Sequence, residues 1–486
     1  MASFCSIGFS AQRLFGFRGV NSESTLSAFW IGWCLVLMFL QVWHLVAPVD
    51  ARVIRVLLIA SVAGIAYSRQ SIAELLELVK SHKLLLIAGS VLLLWLANRA
   101  MAPIKPYDAG LYHLGAIRWI SNYPIVPGLA NLHDRFGFNS SYFLFEAMLD
   151  TGMWTHGSHH LAGGLLLLIV LFEIGSSVYK IFNYKSVDLY DIMRIILLAP
   201  IIDQCFNYAS STSPDLATYV IGLTIGVRMC KVLFSTDNRS SRALDIASIM
   251  LLAAIGITLK VSFVILGTVA SLIAATVWLQ SVSEKKRSLI EPIVITAVVL
   301  SIVGVWMFRN IILTGYAAYP FSAISFGVEW RVTPESVTNI NGWIQSWARN
   351  PNALPAQVLA NSDWFYPWIN YITAHQRFDV VFPLLLFLGG TVVSSLCVVF
   401  KTLPGARCVM FLMPGFAALI FWFLSAPDPR YAGATFWYLG AGSVSLVFGG
   451  FSHGRTVKEG MDRVSLRACA DRAGLTAKLQ NYTAWS

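Results

Sequence analysis

The sequence predicts an all-α, polytopic membrane protein with about 12 spanning helices. Three observations predict it. First, 56% of the residues are hydrophobic and only 12% are charged, where a soluble domain carries about 25% charged residues. Second, apolar runs of roughly 20 residues, the length that crosses a bilayer, recur along the chain. Third, the basic residues gather in alternate connections between those runs, as the positive-inside rule requires of a multi-pass protein.

The candidate spans, in order, are 26–48, 52–67, 84–100, 161–182, 190–208, 214–234, 243–259, 261–280, 289–312, 379–400, 407–425 and 431–451. The residues before the first run are mixed and polar and show no cleavable signal, so that run is expected to stay as an anchor. The second and third spans are short. The seventh and eighth are split only by Lys260, so a helical hairpin is expected there. Most of the 35 Lys and Arg residues fall on one side if the N-terminus is cytoplasmic, with "SVSEKKRS" (281–288) the clearest inner loop. An even number of spans then leaves both termini cytoplasmic. The expected domains are a membrane domain over 1–451 and a basic cytoplasmic tail over 452–486. That tail is either a surface helix on anionic lipid or a solvated extension. The net charge of +10 is accounted for by this distribution, so no nucleic-acid partner is expected. The seven cysteines form no CxxC pair and mostly sit in apolar runs, as small buried hydrophobes do.

Two long stretches interrupt the apolar pattern, 101–160 and 313–378, and both fall on the outer side. Loops of this length are functional or disordered. These are rich in Trp, Tyr, Phe and His, so they are expected to fold on the membrane surface with amphipathic helices at the interface.

The first stretch opens "PYDAGLYHLGAIRW" (106–119). Asp108 is either a helix N-cap behind Pro106 or a carboxylate presented beside rings. On a regular helix Asp108, Tyr112, Gly115 and Trp119 share a face. A carboxylate among aromatic rings suits a sugar: rings cover the C–H face and the carboxylate takes a hydroxyl proton. His113 and Arg118 lie in the same segment. "GLANLHDRFGFNSS" (128–141) follows, and it interleaves Asn131, His133, Asp134, Arg135 and Asn139 with apolar residues, as a binding loop or a structural turn. "WTHGSHH" (154–160) offers His156, His159 and His160 either as a metal site or as a span cap. Asp215 follows Pro214 at the outer end of a span, where capping or function both explain it. Asp203 lies a turn or two earlier, and acids near a bilayer are functional suspects. Lys260, Arg309 with Asn310, and Arg430 all fall at the outer edge, against the positive-inside trend. They either snorkel at helix ends or meet an anionic phosphate.

The combination of "YDAGLYHLGAIRWI…PIVPGLANLHDRFGFNSS" with "RNIILTGYAAYP" resembles the GT-C class of membrane glycosyltransferases, and a poorly characterised family of bacterial polytopic proteins of that sort. The resemblance covers most of the membrane region. It implies a polyprenyl-phosphate-linked sugar as donor, a glycan, lipid or protein as acceptor, and a site at the outer face of the bacterial inner membrane. By that resemblance Asp108 and Asp215 are the catalytic carboxylates. Tyr112, His113, Arg118, Asn131, His133, Arg135, Asn139, Lys260, Arg309, Asn310 and Arg430 are the substrate-binding set. The sequence departs from the class in having Ala109, not a second acid, after Asp108, and in placing two spans before the motif-bearing one. Participation of a divalent cation is left open. Two other classes remain: an O-antigen-type polysaccharide polymerase or ligase, which lacks a first-loop carboxylate of this kind, and a transporter, for which repeats and polar residues at mid-membrane are the usual marks.

Overall fold

The computed structural model describes residues 1–17, 21–81, 83–151, 157–184, 187–235, 239–283 and 289–451. The basic tail, His156 and the charged part of the 281–288 loop lie outside them. The fold is all-α, with one short β-hairpin added.

Helix α1 (Ala2–Leu14) lies against α2 (Ser22–Trp43). The two cross closely because both surfaces carry glycine at the contact. A Cβ on Gly8 would lie 1.8 Å from the Ala28 carbonyl oxygen, and one on Gly32 would lie 1.8 Å from that of Phe4. Small residues at a crossing let backbones approach in this way. Helix α3 (Ala51–Tyr67) bends by 81° into α4 (Arg69–Ser81), and α5 (Lys83–Ala100) completes the N-terminal group.

After α5 the chain enters the first long stretch. It holds a π-helical turn (Ala109–His113), α6 (Leu114–Asn122), two 3-10 turns and α7 (Ser141–Leu149). Helix α8 (Leu161–Tyr184) follows. Over the expected span at 190–208 the helix breaks at Leu197 into α9 (Leu189–Ile196) and α10 (Leu198–Asn207), each too short to cross a bilayer alone. Helices α11 (Pro214–Phe234), α12 (Arg239–Leu259), α13 (Val264–Ser283) and α14 (Ile290–Thr314) form the middle of the bundle. The apolar stretch of α11 is buried throughout, whereas 22% of that of α14 is buried. A helix that is apolar on all sides belongs at the centre of a bundle or against lipid; α11 takes the first place, and α14 leaves most of its apolar stretch uncovered by the other described residues.

Gly315, at φ 82°, ends α14. Strands β1 (Tyr316–Ala318) and β2 (Phe321–Ser325) then pair antiparallel, with Ala318 opposite Phe321. Helices α15 (Pro334–Arg349), α16 (Pro355–Val358) and α17 (Phe365–His375) follow, so the second long stretch is partly helical. Helices α18 (Phe382–Val399), α19 (Gly405–Ser425) and α20 (Pro429–Ala432) lead to a final helical segment over 435–451.

Among the described residues, eight helices are long and apolar enough to cross a membrane, or nine with the bent α3–α4 pair counted as one span. The expected span at 84–100 is apolar over the shorter stretch Leu86–Ala100. One hydrophobic core runs through the bundle. Two small satellites sit beside it: one holds Tyr316, Tyr319, Val332, Val337 and Ile340, the other Trp368, Ile372, Trp422 and Phe436. The six described cysteines are buried and free.

Candidate functional site

Asp108 begins the π-helical turn, but its side chain makes no capping bond. The carboxylate instead lies between two guanidinium groups. Oδ1 accepts from Arg135 Nη1 at 3.0 Å and Oδ2 from Arg430 Nη1 at 3.1 Å. These partners are 27 and 322 residues away in sequence. The local reading of Asp108 as a cap is therefore set aside. Arg135 is presented by a 3-10 turn whose entry is held by His133: Nδ1 accepts the Arg135 backbone N–H at 3.2 Å. Arg430 is presented by α20, whose N-cap is Asp428; Oδ1 accepts the Arg430 N–H at 2.9 Å.

Asp215 stands in the first turn of α11, where the cap is Ser213, whose hydroxyl accepts the Asp215 N–H at 3.3 Å. That leaves the carboxylate free to pair with Lys260. Lys260 occupies the extended break between α12 and α13, the turn of the expected hairpin. Its ammonium lies 4.4 Å from the centre of the Tyr431 ring, within cation–π range. The Arg135 guanidinium stands over the Tyr112 ring at 5.8 Å.

These groups line one cavity of about 720 Å³. Asp108, Tyr112, Arg135, Asp215, Lys260 and Arg430 from the expected set all face it, and Asp134 joins them. Three carboxylates and three cations thus share one chamber. The rest of the wall is mostly aromatic and apolar, from the β-hairpin, α15 and the end of α19, with Asn341 and Gln345 among its polar members. Ligand pockets of this size are mostly apolar with a few convergent polar groups.

The other expected residues lie elsewhere. His113 is buried behind Tyr112, with Nδ1 3.1 Å from Thr212 Oγ1. Burial pushes its imidazole down to about 4, although the charge of Asp108 opposes this. Burial also raises the Tyr112 phenol above its ordinary range. Arg118 is exposed and outside the cavity. Asn131 donates to the Trp330 carbonyl at 2.7 Å. Arg309 is buried and holds Asn139 Oδ1 at 3.2 Å, His44 Nδ1 at 3.0 Å and the Gln41 carbonyl at 3.3 Å. Asn139 sits in a left-handed conformation, φ 47°, and donates to the Trp306 carbonyl. Asn310 donates to the same carbonyl within its own helix. Arg309 and Asn139 therefore fix the first long stretch to α14 and α2, and neither they nor Asn310 line the cavity. Asp203 accepts from Asn207 Nδ2 at 2.9 Å, also outside it.

Gly115 and Trp119 do not share the cavity face with Asp108 and Tyr112. A π turn takes an extra residue relative to an α turn, so the positions after it are rotated by roughly 100°. Single π turns recur at functional sites.

Among the described residues, no group of three or more His, Cys, Asp or Glu side chains is placed to hold a metal ion. Asp108 and Asp215 already face cationic side chains. As arranged, the cavity offers three cationic donors and three carboxylate acceptors. His159, from the three-histidine motif, pairs with Asp150 at 3.2 Å.

One charge cluster escaped sequence reasoning. At the far end of α11, Arg228 binds Asp245 at 2.7 Å and Glu173 at 3.5 Å, and Lys231 binds Asp245 at 3.1 Å and Glu23 at 3.4 Å. Arg194 also pairs with Glu23, and Trp30 donates to Glu173 at 2.9 Å. The signal was present: an acid inside "LLLLIVLFEIG" and a base inside "TIGVRMCKVLF" are costly in a span unless paired.

No curated protein and no solved structure is significantly similar to the chain. A family model matches residues 1–437, a stretch that takes in every residue lining the cavity. The chain thus belongs to the family described as "Domain of unknown function (DUF8201)".

Proposed function

We propose that the chain is a GT-C-type glycosyltransferase that moves a sugar from a polyprenyl-phosphate donor to a hydroxyl of a glycan, lipid or protein acceptor. The observation that carries this reading is the convergence of Asp108 and Asp215, from separate segments, on one aromatic-walled cavity with Arg135, Lys260 and Arg430. The cavity abuts α19, one of the helices apolar enough to cross a membrane, so a lipid-linked donor has an apolar surface along which to approach.

In this reading the acceptor oxygen attacks the anomeric carbon while the bond from that carbon to the phosphate oxygen breaks. The phosphate leaves with the bonding electrons, the configuration inverts, and the acceptor proton passes to Asp108 as general base. The leaving phosphate needs no proton. Its charge is met by Lys260 and Arg430, as preorganised cations stabilise developing anions elsewhere. Both are already drawn toward carboxylates, so they are held in place before the donor arrives. The reading includes about 12 spans, both termini in the cytoplasm and the cavity on the outer face of a bacterial inner membrane.

The test is mass spectrometry of surface glycans and lipids from cells with and without the chain. A sugar-sized increment present only with the chain supports transfer and names the sugar. No difference between the two removes transfer and leaves transport as the reading to examine.

A further inference from the structure

One wall of the cavity has its own character, and it lies on α15. This helix is firmly placed. Thr333 caps it by accepting the Ser336 N–H at 3.3 Å. Val337 and Ile340 are buried against Tyr316, Tyr319 and Val332. At the far end Arg349 donates to the Leu424 and Ser425 carbonyls of α19 at 3.1 and 3.0 Å.

The face that α15 turns to the cavity is mixed. Trp343 and Trp347, four residues apart, both line it and remain 40% and 50% exposed. Asn341 and Gln345, also four apart, line it as well, and Gln345 Nε2 donates to Asn341 Oδ1 at 3.2 Å. Residues four apart stack on one side of a helix, so two indoles form one edge of this wall, two amides the other, and Ile340 and Ile344 run between them. No ionisable side chain of α15 lines the cavity.

We propose that this wall binds a saccharide, and hence that the acceptor is a glycan chain; the second step rests on the glycosyltransferase reading above. The chemistry favours a sugar over an apolar lipid chain or a charged peptide. Indoles offer flat faces with a polar edge, which suit the C–H faces of pyranose rings. Primary amides donate and accept at once, as vicinal hydroxyls require. An alkyl chain gains nothing from the amides, and a charged peptide finds no countercharge on α15.

The experiment uses the full chain in lipid nanodiscs and measures binding without turnover. The probe is fluorescently labelled oligosaccharide released by mild hydrolysis from the surface polysaccharide of the cells that make the protein. Labelled farnesol is the comparison probe. The expected result is saturable oligosaccharide binding that weakens about tenfold or more in Trp343→Ala and in Trp347→Ala, and is largely kept in Trp347→Tyr. Farnesol binding should be unchanged in all three. Thermal midpoints serve to confirm that the variants are folded. Oligosaccharide binding that is absent from wild type, or equal in the alanine variants, overturns the proposal, as does loss of farnesol binding instead. Because no transfer is required, this outcome stands apart from the sugar-increment test. A wall that binds saccharide in a protein that transfers none sinks the enzyme reading alone. Transfer that proceeds with unchanged saccharide binding in the alanine variants sinks the wall alone.

Discussion

The molecule holds two clusters of paired charges at opposite ends of the same two helices. Asp215 lies in the first turn of α11 and Arg228 in its second half, on the order of 20 Å along the axis at 1.5 Å per residue. Lys260 follows the end of α12, and Asp245 lies near its start. Both clusters are built from carboxylates and cations, but they differ in access. Glu173, Arg228 and Asp245 are each 3% exposed, with Glu23 the one more open member at 23% among those named. Asp108 is 21% and Arg430 44% exposed, around an open chamber. A closed cluster has no ligand to await: it compensates charges that the fold has buried. An open one keeps paired charges where a third party can compete for them. On the proposed reading the same residue types serve structure at one end and recognition at the other, and enclosure separates the two roles.

Substitutions can break that contrast. The largest effect on folding is expected from Arg228→Leu. Removing one partner of a buried pair leaves the other charge uncompensated and costs about 3–5 kcal/mol. The yield of monodisperse protein in detergent should collapse; recovery at the wild-type level would mean the far cluster is not what holds these helices together. A smaller effect, confined to activity, is expected from Lys260→Gln. Loss of one charged hydrogen bond of about 1.5–3 kcal/mol should lower sugar transfer roughly tenfold to a hundredfold, read in membranes carrying equal amounts of protein. Equal transfer would remove Lys260 from the phosphate-handling role. Next comes Ser213→Ala, which deletes the cap behind Asp215. It should cost about 1 kcal/mol, visible as a lowered thermal midpoint with the fold retained.

A separate effect is a slope with pH. The folded His113 imidazole titrates at about 4, below its ordinary 6.5. The unfolded chain therefore binds more protons between those values, and stability falls as pH drops from 6.5 toward 4. His113→Asn should flatten that part of the profile in thermal melts taken across the range. An unchanged slope would show that this imidazole is not the group responsible.

The contrast also explains what the sequence made legible. Composition and run length revealed the all-α membrane character and most of the long helices. Asp108, Asp215, Lys260 and Arg430 stood out because charge at the edge of an apolar run is conspicuous. The same rule singled out Arg309, which the fold spends on Asn139, His44 and the Gln41 carbonyl. Sequence position says that a charge needs a partner but not which one it finds. The helical face read from Asp108 to Trp119 failed at a single π turn, since one extra residue rotates everything after it. The run 190–208 read as one span because its hydropathy is continuous, yet it folds as two short helices that break at Leu197. The α15 wall went unseen because Trp, Asn and Gln are ordinary in an interfacial stretch; only the folded cavity gives them a common face.

The central claim is that the open cluster does chemistry through Asp108. The measurement that tests it most directly is the sugar increment on surface glycans in cells carrying Asp108→Asn, at membrane levels matched to wild type. The substitution keeps the shape and removes the base, so the account predicts a fall of about 10²–10⁴-fold in a protein that still folds. An increment equal to that of wild type would contradict the account. The cavity would then have to work without this carboxylate, as in the polymerase or ligase reading.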